Sequence, residues 1–490
     1  MSSPDSTKYL CRSAISLPFQ VNVGLVVDDV LDASILEEKY TQLIELWPHL
    51  GGSLSSIFDT RKFQCGCTAD FKSRTVNKDL ASFLPSWRNH SEGSTPEILI
   101  DDPASLDSEF LFQISSSSKA ISKLRVTVLD DATLLGFSFY HSHADGQSSY
   151  DIIRYFCDLL SDNPLPTFVL PPDASGGRIS DLVRDEPAPA STQPQPQPRP
   201  HPKIFVTKPL TALKFHAKYM LLRLSDALGL SKNLTQKTIY IPETWVDEVR
   251  ARAQEELELE AGDEKSGIHL TRNDIIAAFY LKLVYSWQKP TDSPVDYLGP
   301  INYRGLLEPA NTNTEIETET EKEKTTYYMH NSIIFLLAQF TTRELQTTPI
   351  TQIALRIRLA TLNATTNPPL IKQEILRIET ELLAPAMQDI RGSVRYGAPM
   401  VSPWSTFNYT GLDFSGARAR AGTKTDGRGR KPAVIFVCPN VPLTLGDLPS
   451  PIAIGVKDGK GGYWVRGANS RRGWEGFERG GGGEGLFGAA

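Results

Sequence analysis

The run Phe137-Ser-Phe-Tyr-His141-Ser-His143-Ala-Asp145-Gly146-Gln147 gathers the residue types from which acid–base chemistry is built. Imidazole titrates near neutrality, so a His at the end of a strand is well placed to take or give a proton. Residues alternating along a strand point to one face, so His141, His143 and Asp145 share a face if the strand runs through them. Gly146 follows where a tight turn or a close backbone approach is needed. Beyond it, Ile152, Ile153, Phe156, Leu159 and Leu160 recur at helical spacing.

These residues allow three readings. In the first, both histidines are structural and sit near a turn. In the second, His-x-His-x-Asp is half of a two-metal hydrolase motif, since imidazole and carboxylate suit zinc. That motif needs a further His directly after the Asp, where Gly146 stands, and His49, His90, His201, His216, His269 and His330 are scattered singly. In the third, His141-x-x-x-Asp145-Gly146 is the unit, with His141 as general base and Asp145 holding the local structure.

The third reading resembles the His-x-x-x-Asp-Gly signature of the BAHD acyltransferases, members of the CoA-dependent acyltransferase superfamily. A second stretch, Ser402-Pro-Trp404-Ser-Thr-Phe-Asn-Tyr-Thr-Gly-Leu-Asp413-Phe414-Ser415-Gly416, resembles that family's Thr-Ser-Trp, eight residues, Asp-Phe-Gly-Trp-Gly element, and it follows the first motif in the same order. Leu46-Trp-Pro-His-Leu-Gly-Gly-Ser-Leu54 is similar to the family's early Tyr-Pro-x-x-Ala-Gly-Arg-Leu, and Asn302-Tyr-Arg304 to its Asp-x-Arg segment. The details look closest to fungal members. Ser415 and Gly416 depart from the family's Gly and Trp, and Lys431-Pro432 comes only after a basic, Gly-rich insert at 417–430.

The resemblance implies an α/β fold of two chloramphenicol-acetyltransferase-like domains with mixed sheets and an active-site channel between them. A segment of the second half is expected to return and complete the first domain. It implies acyl-CoA-dependent O- or N-acyl transfer to a small, secondary metabolite. His141 takes a proton from the acceptor hydroxyl or amine as that group attacks the thioester carbonyl, then returns it to the leaving CoA sulfur. The family pattern offers the Trp404 indole N–H and the Ser402 hydroxyl as donors to the tetrahedral oxyanion. No metal and no covalent acyl-enzyme are needed. Asp145 and Gly146 are structural at the site, with Asp145 turned away to pair with a basic residue. Asp413 resembles the family's structural acid, with Arg304 as its expected partner. The phosphates of CoA call for a basic rim, for which Arg418, Arg420, Lys424, Arg428, Arg430 and Lys431 are candidates, Lys431 first among them. No tightly bound cofactor is expected; acyl-CoA is a co-substrate, and a monomer is expected. The alternatives are a catalytically degenerate relative acting as a metabolite-binding or regulatory protein, and a condensation-type enzyme using a carrier-protein-bound acyl group.

Composition bounds these readings. A chain of 490 residues has room for two or three domains. With 40% hydrophobic and 22% charged residues it is an ordinary globular composition. A formal charge of -6 argues against a nucleic-acid binder. Five Cys, an odd number, give no disulfide framework, which points to a reduced, cytoplasmic setting. Cys65-Gly-Cys67 is too close and too isolated for a zinc site. No basic region followed by an apolar core marks a signal peptide, and no apolar run approaches a membrane span.

The elements that position the motifs can be read from periodicity. Val21–Val27 predicts a strand, and Ser34 with Glu37 predicts a capping box for the helix that ends before Pro48. Leu124–Leu129 and Thr133–His141 flank Asp130-Asp131 as a hairpin, which puts the His motif at the end of a central strand. The Pro-rich residues 186–202 predict an extended linker between domains at 1–185 and 203–490. Thr271 and Asp274 predict a capped helix through Ile275, Ile276, Phe279 and Leu283. Residues 315–324 predict a charged loop insert, Ile333–Ala338 a buried strand, and two helices flank Asn367-Pro-Pro369. Ala433–Cys438 and Pro451–Val456 read as buried strands, and the Gly-rich tail from Arg479 as unstructured.

Overall fold

The structure, a computed structural model, describes residues 8–10, 20–55, 62–66, 68–84, 94–114, 118–169, 178–183, 234–261, 267–306, 326–328, 331–380, 398–418, 431–440, 444–445 and 448–480. The predicted linker 186–202, the acidic insert 315–324, most of the basic insert, the tail beyond residue 480, and His90, His201, His216, His330 and Cys67 lie outside these residues.

Two mixed sheets form the framework. The five-stranded sheet runs in the order Val434–Asn440, Gln20–Val27, Thr133–Tyr140, Ser122–Val128, Phe71–Thr75. The strand leading to His141 is therefore its centre. Its apolar sequence is buried along its whole length, as a strand covered on both faces requires. Ser122–Val128 and Thr133–Tyr140 pair antiparallel through Val128 and Thr133, so the hairpin expected at Asp130-Asp131 forms. Gly136 leaves room for the backbone of the helix Pro103–Phe110, whose Phe110 carbonyl a side chain there would strike.

The seven-stranded sheet runs Ile333–Thr341, Pro294–Asn302, Met400–Pro403, Ile452–Lys457, Gly462–Ser470, Leu234–Pro242, Glu97–Ile100. Ile333–Thr341 is its edge and alternates buried with half-buried positions, so the fully buried strand expected there is instead a one-sided one. Each sheet borrows from the other half of the chain. Val434–Asn440 pairs with Gln20–Val27, as the family resemblance implies, and Glu97–Ile100 closes the far edge of the seven-stranded sheet.

The helices cover these sheets with two apolar cores. Helices Ala33–Leu46 and Gly146–Leu160 bury Leu36, Leu43, Ile153 and Phe156 against the five-stranded sheet. Helix Arg272–Tyr285 is buried along nearly its whole length in the second core, and its predicted Thr271–Asp274 capping box is present. Helices Ile350–Thr365 and Pro368–Thr380 flank the Asn367-Pro-Pro369 step. One cap differs from its prediction. Asp32, not Ser34, caps helix Ala33–Leu46, accepting from the backbone N–H of Ser34 (2.9 Å) and Ile35 (3.4 Å). Ser34 sits inside the first turn and donates its hydroxyl to the same carboxylate, so the stronger acceptor takes the cap.

Among the described residues, no helix is long and apolar enough to cross a membrane.

Candidate active site

The central strand stops at Tyr140, and the chain turns before it becomes helix at Gly146. The backbone N–H groups of His143 and Ala144 both donate to the Tyr140 carbonyl, at 2.9 and 3.1 Å. This turn separates the three side chains that an extended strand would have aligned. His143 packs inward against His49 and Phe63, with ring centroids 5.1 and 4.8 Å away. Asp145 turns toward the second sheet. His141 remains half-buried at the start of the turn. The single shared face that a metal site would need is absent from this motif.

Asp145 does two jobs. It caps helix Gly146–Leu160 by accepting from the Ser148 N–H at 2.9 Å. It also receives Arg304 in a forked pair, Nη1 to Oδ2 at 2.8 Å and Nη2 to Oδ1 at 3.1 Å. The Ser332 N–H adds a bond to Oδ2 at 2.9 Å, and Arg304 Nη2 donates to the Ser148 hydroxyl at 2.7 Å. Burial raises the carboxyl's pKa, but the Arg304 charge and these donors outweigh it and hold the group below its ordinary value. Asp145 is thus an ionised structural acid, and it pairs across the two sheets.

The pairing corrects one expectation. The sequence pairs Arg304 with Asp413; its partner is Asp145, because the turn after Asn302 delivers the guanidinium to the start of helix Gly146–Leu160. Asp413 instead pairs with Lys431 at 2.6 Å. The Ser415 N–H and hydroxyl donate to Asp413 Oδ1 at 3.0 and 2.6 Å. The altered element is well packed. Phe414 and Ala417 are fully buried, and Gly416 lies so close to the Leu160 carbonyl that no side chain fits. A Gly here, where the family pattern quoted above has Trp, lets the segment close directly onto the end of helix Gly146–Leu160. Lys431 is 70% exposed on its side chain, and Arg418 pairs with Asp29. The candidate rim residues Arg420, Lys424, Arg428 and Arg430 lie outside the described residues.

His141 is held from the second sheet as well. Asn331 Nδ2 donates to the His141 carbonyl at 2.8 Å and lies 3.3 Å from its Nδ1. Burial lowers the His141 pKa, and a hydrogen bond to its own backbone and the Asp145 charge only partly oppose that. The ring is therefore neutral at neutral pH, the state a general base requires. Neither Asn331 nor Ser332 stands out in the sequence. Their types are ordinary and Asn331 lies 190 residues from His141, so no local spacing marks them.

Ser402 and Trp404 come from the strand Met400–Pro403 and the turn after it. Ser402 is half-buried and pairs in register with Ile454. Trp404 is largely buried and belongs to the first core, so it also serves as a packing aromatic. Its edge is nonetheless specific. A Cβ on Gly146 would meet the indole Nε1 at 2.5 Å, and Phe407 lies beside it. The structure thus brings His141, Asp145, Gly146, Arg304 and Trp404 together, while Asp413 and Lys431 form a separate pair.

No family model matches the sequence. The chain is 36% identical over 492 residues to "Acetyltransferase peniE" of Penicillium patulum, covering 98% of this chain and 99% of that protein. It is 21% identical to "Transcriptional regulator calD" of Penicillium decumbens, over 98% of this chain and 94% of that one. Among solved structures, the fold is similar to F. sporotrichioides TRI101 complexed with coenzyme A and T-2, with a TM-score of 0.62 at 11% identity over 97% of each chain. It is also similar to vinorine synthase, with a TM-score of 0.55 at 12% identity over 97% of this chain and 93% of that one. The His141–Gly146 turn, the exchanged strands and a full-length acetyltransferase relative agree: the chain belongs to the BAHD acyltransferase family.

Proposed function

We propose that the chain moves an acyl group from acyl-CoA to a hydroxyl or amine of a small secondary metabolite. Acetyl is the first acyl group to try, because the 36% identical relative is named an acetyltransferase. Coenzyme A as co-substrate is supported by the coenzyme A in the similar TRI101 structure.

His141 is the general base. The observation that carries this role is its half-buried ring at the exit of the central strand, in a turn held by Asn331 at the His141 carbonyl and by the Asp145–Arg304 pair at the following helix start. It deprotonates the acceptor as it attacks the thioester carbonyl and returns the proton to the CoA sulfur. Trp404, and Ser402 two residues before it, donate to the oxyanion formed between these steps. Lys431 meets the phosphates of the donor, and its exposure supports that role. Residues 1–185 and 203–490 act as the two halves of the site, joined through 186–202. The chain works as a monomer. The buried free thiols Cys157 and Cys438 fit a reducing, cytoplasmic setting.

The test is free-thiol release from a panel of acyl-CoAs with pooled alcohol and amine acceptors. Transfer from at least one acyl-CoA is expected; none from any donor would contradict the proposal. One observation favours the rival reading of a non-catalytic regulatory relative: the 21% identical protein named a transcriptional regulator. The well-packed Asp413–Gly416 segment and the clamped His141 turn weigh against it. Tight acyl-CoA binding without turnover on any acceptor would reverse that ranking.

A further inference from the structure

The sheet pairing that carries Trp404 stops one residue short of it. Strand Met400–Pro403 runs parallel to Ile452–Lys457, and its last pair is Pro403 with Gly455. Trp404 opens a short turn, closed by the Phe407 N–H on the Trp404 carbonyl at 3.0 Å. A side chain ties this turn to the second core: the Ser405 hydroxyl donates to Asn273 Oδ1 at 2.7 Å. The Trp404 indole leans the other way, against Gly146 at the start of helix Gly146–Leu160.

Asn273 is a firm anchor. It is the second residue of helix Arg272–Tyr285, whose body is buried from Asp274 to Tyr285. The first turn of that helix is locked by the capping box, which uses the side chains of Thr271 and Asp274. The Asn273 amide reaches instead to the Trp404 turn. A group held on a rigid, close-packed helix passes little movement to what it grips. The tolerance on the far side of the indole is small, since a carbon on Gly146 would meet Nε1 at 2.5 Å. Misplacing a catalytic group by about 1 Å costs up to about a hundredfold in rate.

We propose that Asn273 is a positioning residue for acyl transfer: through the Ser405 hydroxyl it fixes the Trp404 turn, and with it the indole N–H that meets the oxyanion. The inference rests on the reading of Trp404 as an oxyanion donor and deepens it. Asn273 touches no reacting atom and acts only through Ser405 and Trp404.

The experiment measures kcat and KM for acetyl-CoA in the full chain, by free-thiol release with pooled alcohol and amine acceptors. Asn273→Ala and Ser405→Ala each lower kcat by about tenfold with KM nearly unchanged, the signature of an interaction made only in the transition state. The two together cost no more than either alone, because both break one bond. Asn273→Asp keeps an acceptor oxygen and Ser405→Thr keeps the hydroxyl, so both turn over near the unmutated rate. In a Trp404→Phe background, Asn273→Ala and Ser405→Ala cost nothing further in kcat. A merely structural role would not vanish with the indole N–H. If Asn273→Ala does not fold, as circular dichroism reveals, Ser405→Ala, which removes one half-buried hydroxyl, decides alone. Trp404→Phe by itself tests the underlying reading. If it lowers kcat while Asn273→Ala and Ser405→Ala keep the unmutated rate, or if their losses persist undiminished in its background, this inference alone fails. If Trp404→Phe keeps the unmutated rate, the oxyanion reading fails and takes the inference with it.

Discussion

The indole Nε1 of Trp404 lies 2.5 Å from the point where a side chain on Gly146 would begin. Gly146 opens the helix Gly146–Leu160, and Trp404 begins the turn that follows strand Met400–Pro403 of the other sheet. The absence of a side chain at Gly146 is thus what lets the two motifs meet. A methyl group at this distance forces the indole to move. Gly146→Ala is expected to lower kcat by about tenfold or more, the scale of losing one oxyanion donor, with little change in fold. Steady-state kinetics check this; a wild-type kcat would mean that the close approach has no catalytic purpose.

Trp404→Phe keeps the aromatic bulk in the core and removes only the N–H. Turnover is expected to fall by roughly ten- to a thousandfold while the melting temperature changes little. A drop in melting temperature with unchanged kcat would assign Trp404 to packing alone.

The Asp145–Arg304 pair is buried on the Asp145 side, at 1% exposure. Removing its cation leaves a carboxylate buried without a counter-charge. Arg304→Met is expected to destabilise the protein by about 3–5 kcal/mol, as truncating one member of a buried pair does. Denaturant unfolding measures it. A change below about 1 kcal/mol, the range of surface pairs, would show that the pair is not the clasp described above.

The fully buried His49 faces His143 across 5.1 Å. Burial first, and the charge of His143 second, push the His49 pKa well below its ordinary 6.5. Protons then bind the unfolded chain more readily, so the contribution to stability is complete above about pH 6.5 and is lost as pH falls below it. The melting temperature is expected to drop between pH 7 and pH 5, and His49→Phe should flatten that slope. An identical slope in the variant would exclude His49 as its source.

The legible parts were those whose physics is local. The apolar run Thr133–Tyr140 and the 3.6-residue periodicity of the following helix announce a strand, a turn and a helix wherever they occur. The Thr271–Asp274 box is likewise local. What stayed hidden depends on distant partners. Arg304 meets a carboxylate 159 residues earlier, and two acids, Asp145 and Asp413, offered equally good charges. Asn331 became visible only when the second sheet brought it to His141. The cap at Asp32 is not legible locally because Ser34 fits the same motif, and only geometry shows which oxygen reaches the first N–H groups of the helix. The exchange of Val434–Asn440 followed from family likeness, not from its apolar sequence.

The central claim is that His141 moves the proton. The most direct measurement compares thiol release by the wild-type chain and His141→Ala, with acyl-CoA binding followed by calorimetry in both. Unchanged binding is expected, with a loss of turnover of about a hundredfold to ten-thousandfold, the share of a general base. Turnover near wild type in His141→Ala would contradict it.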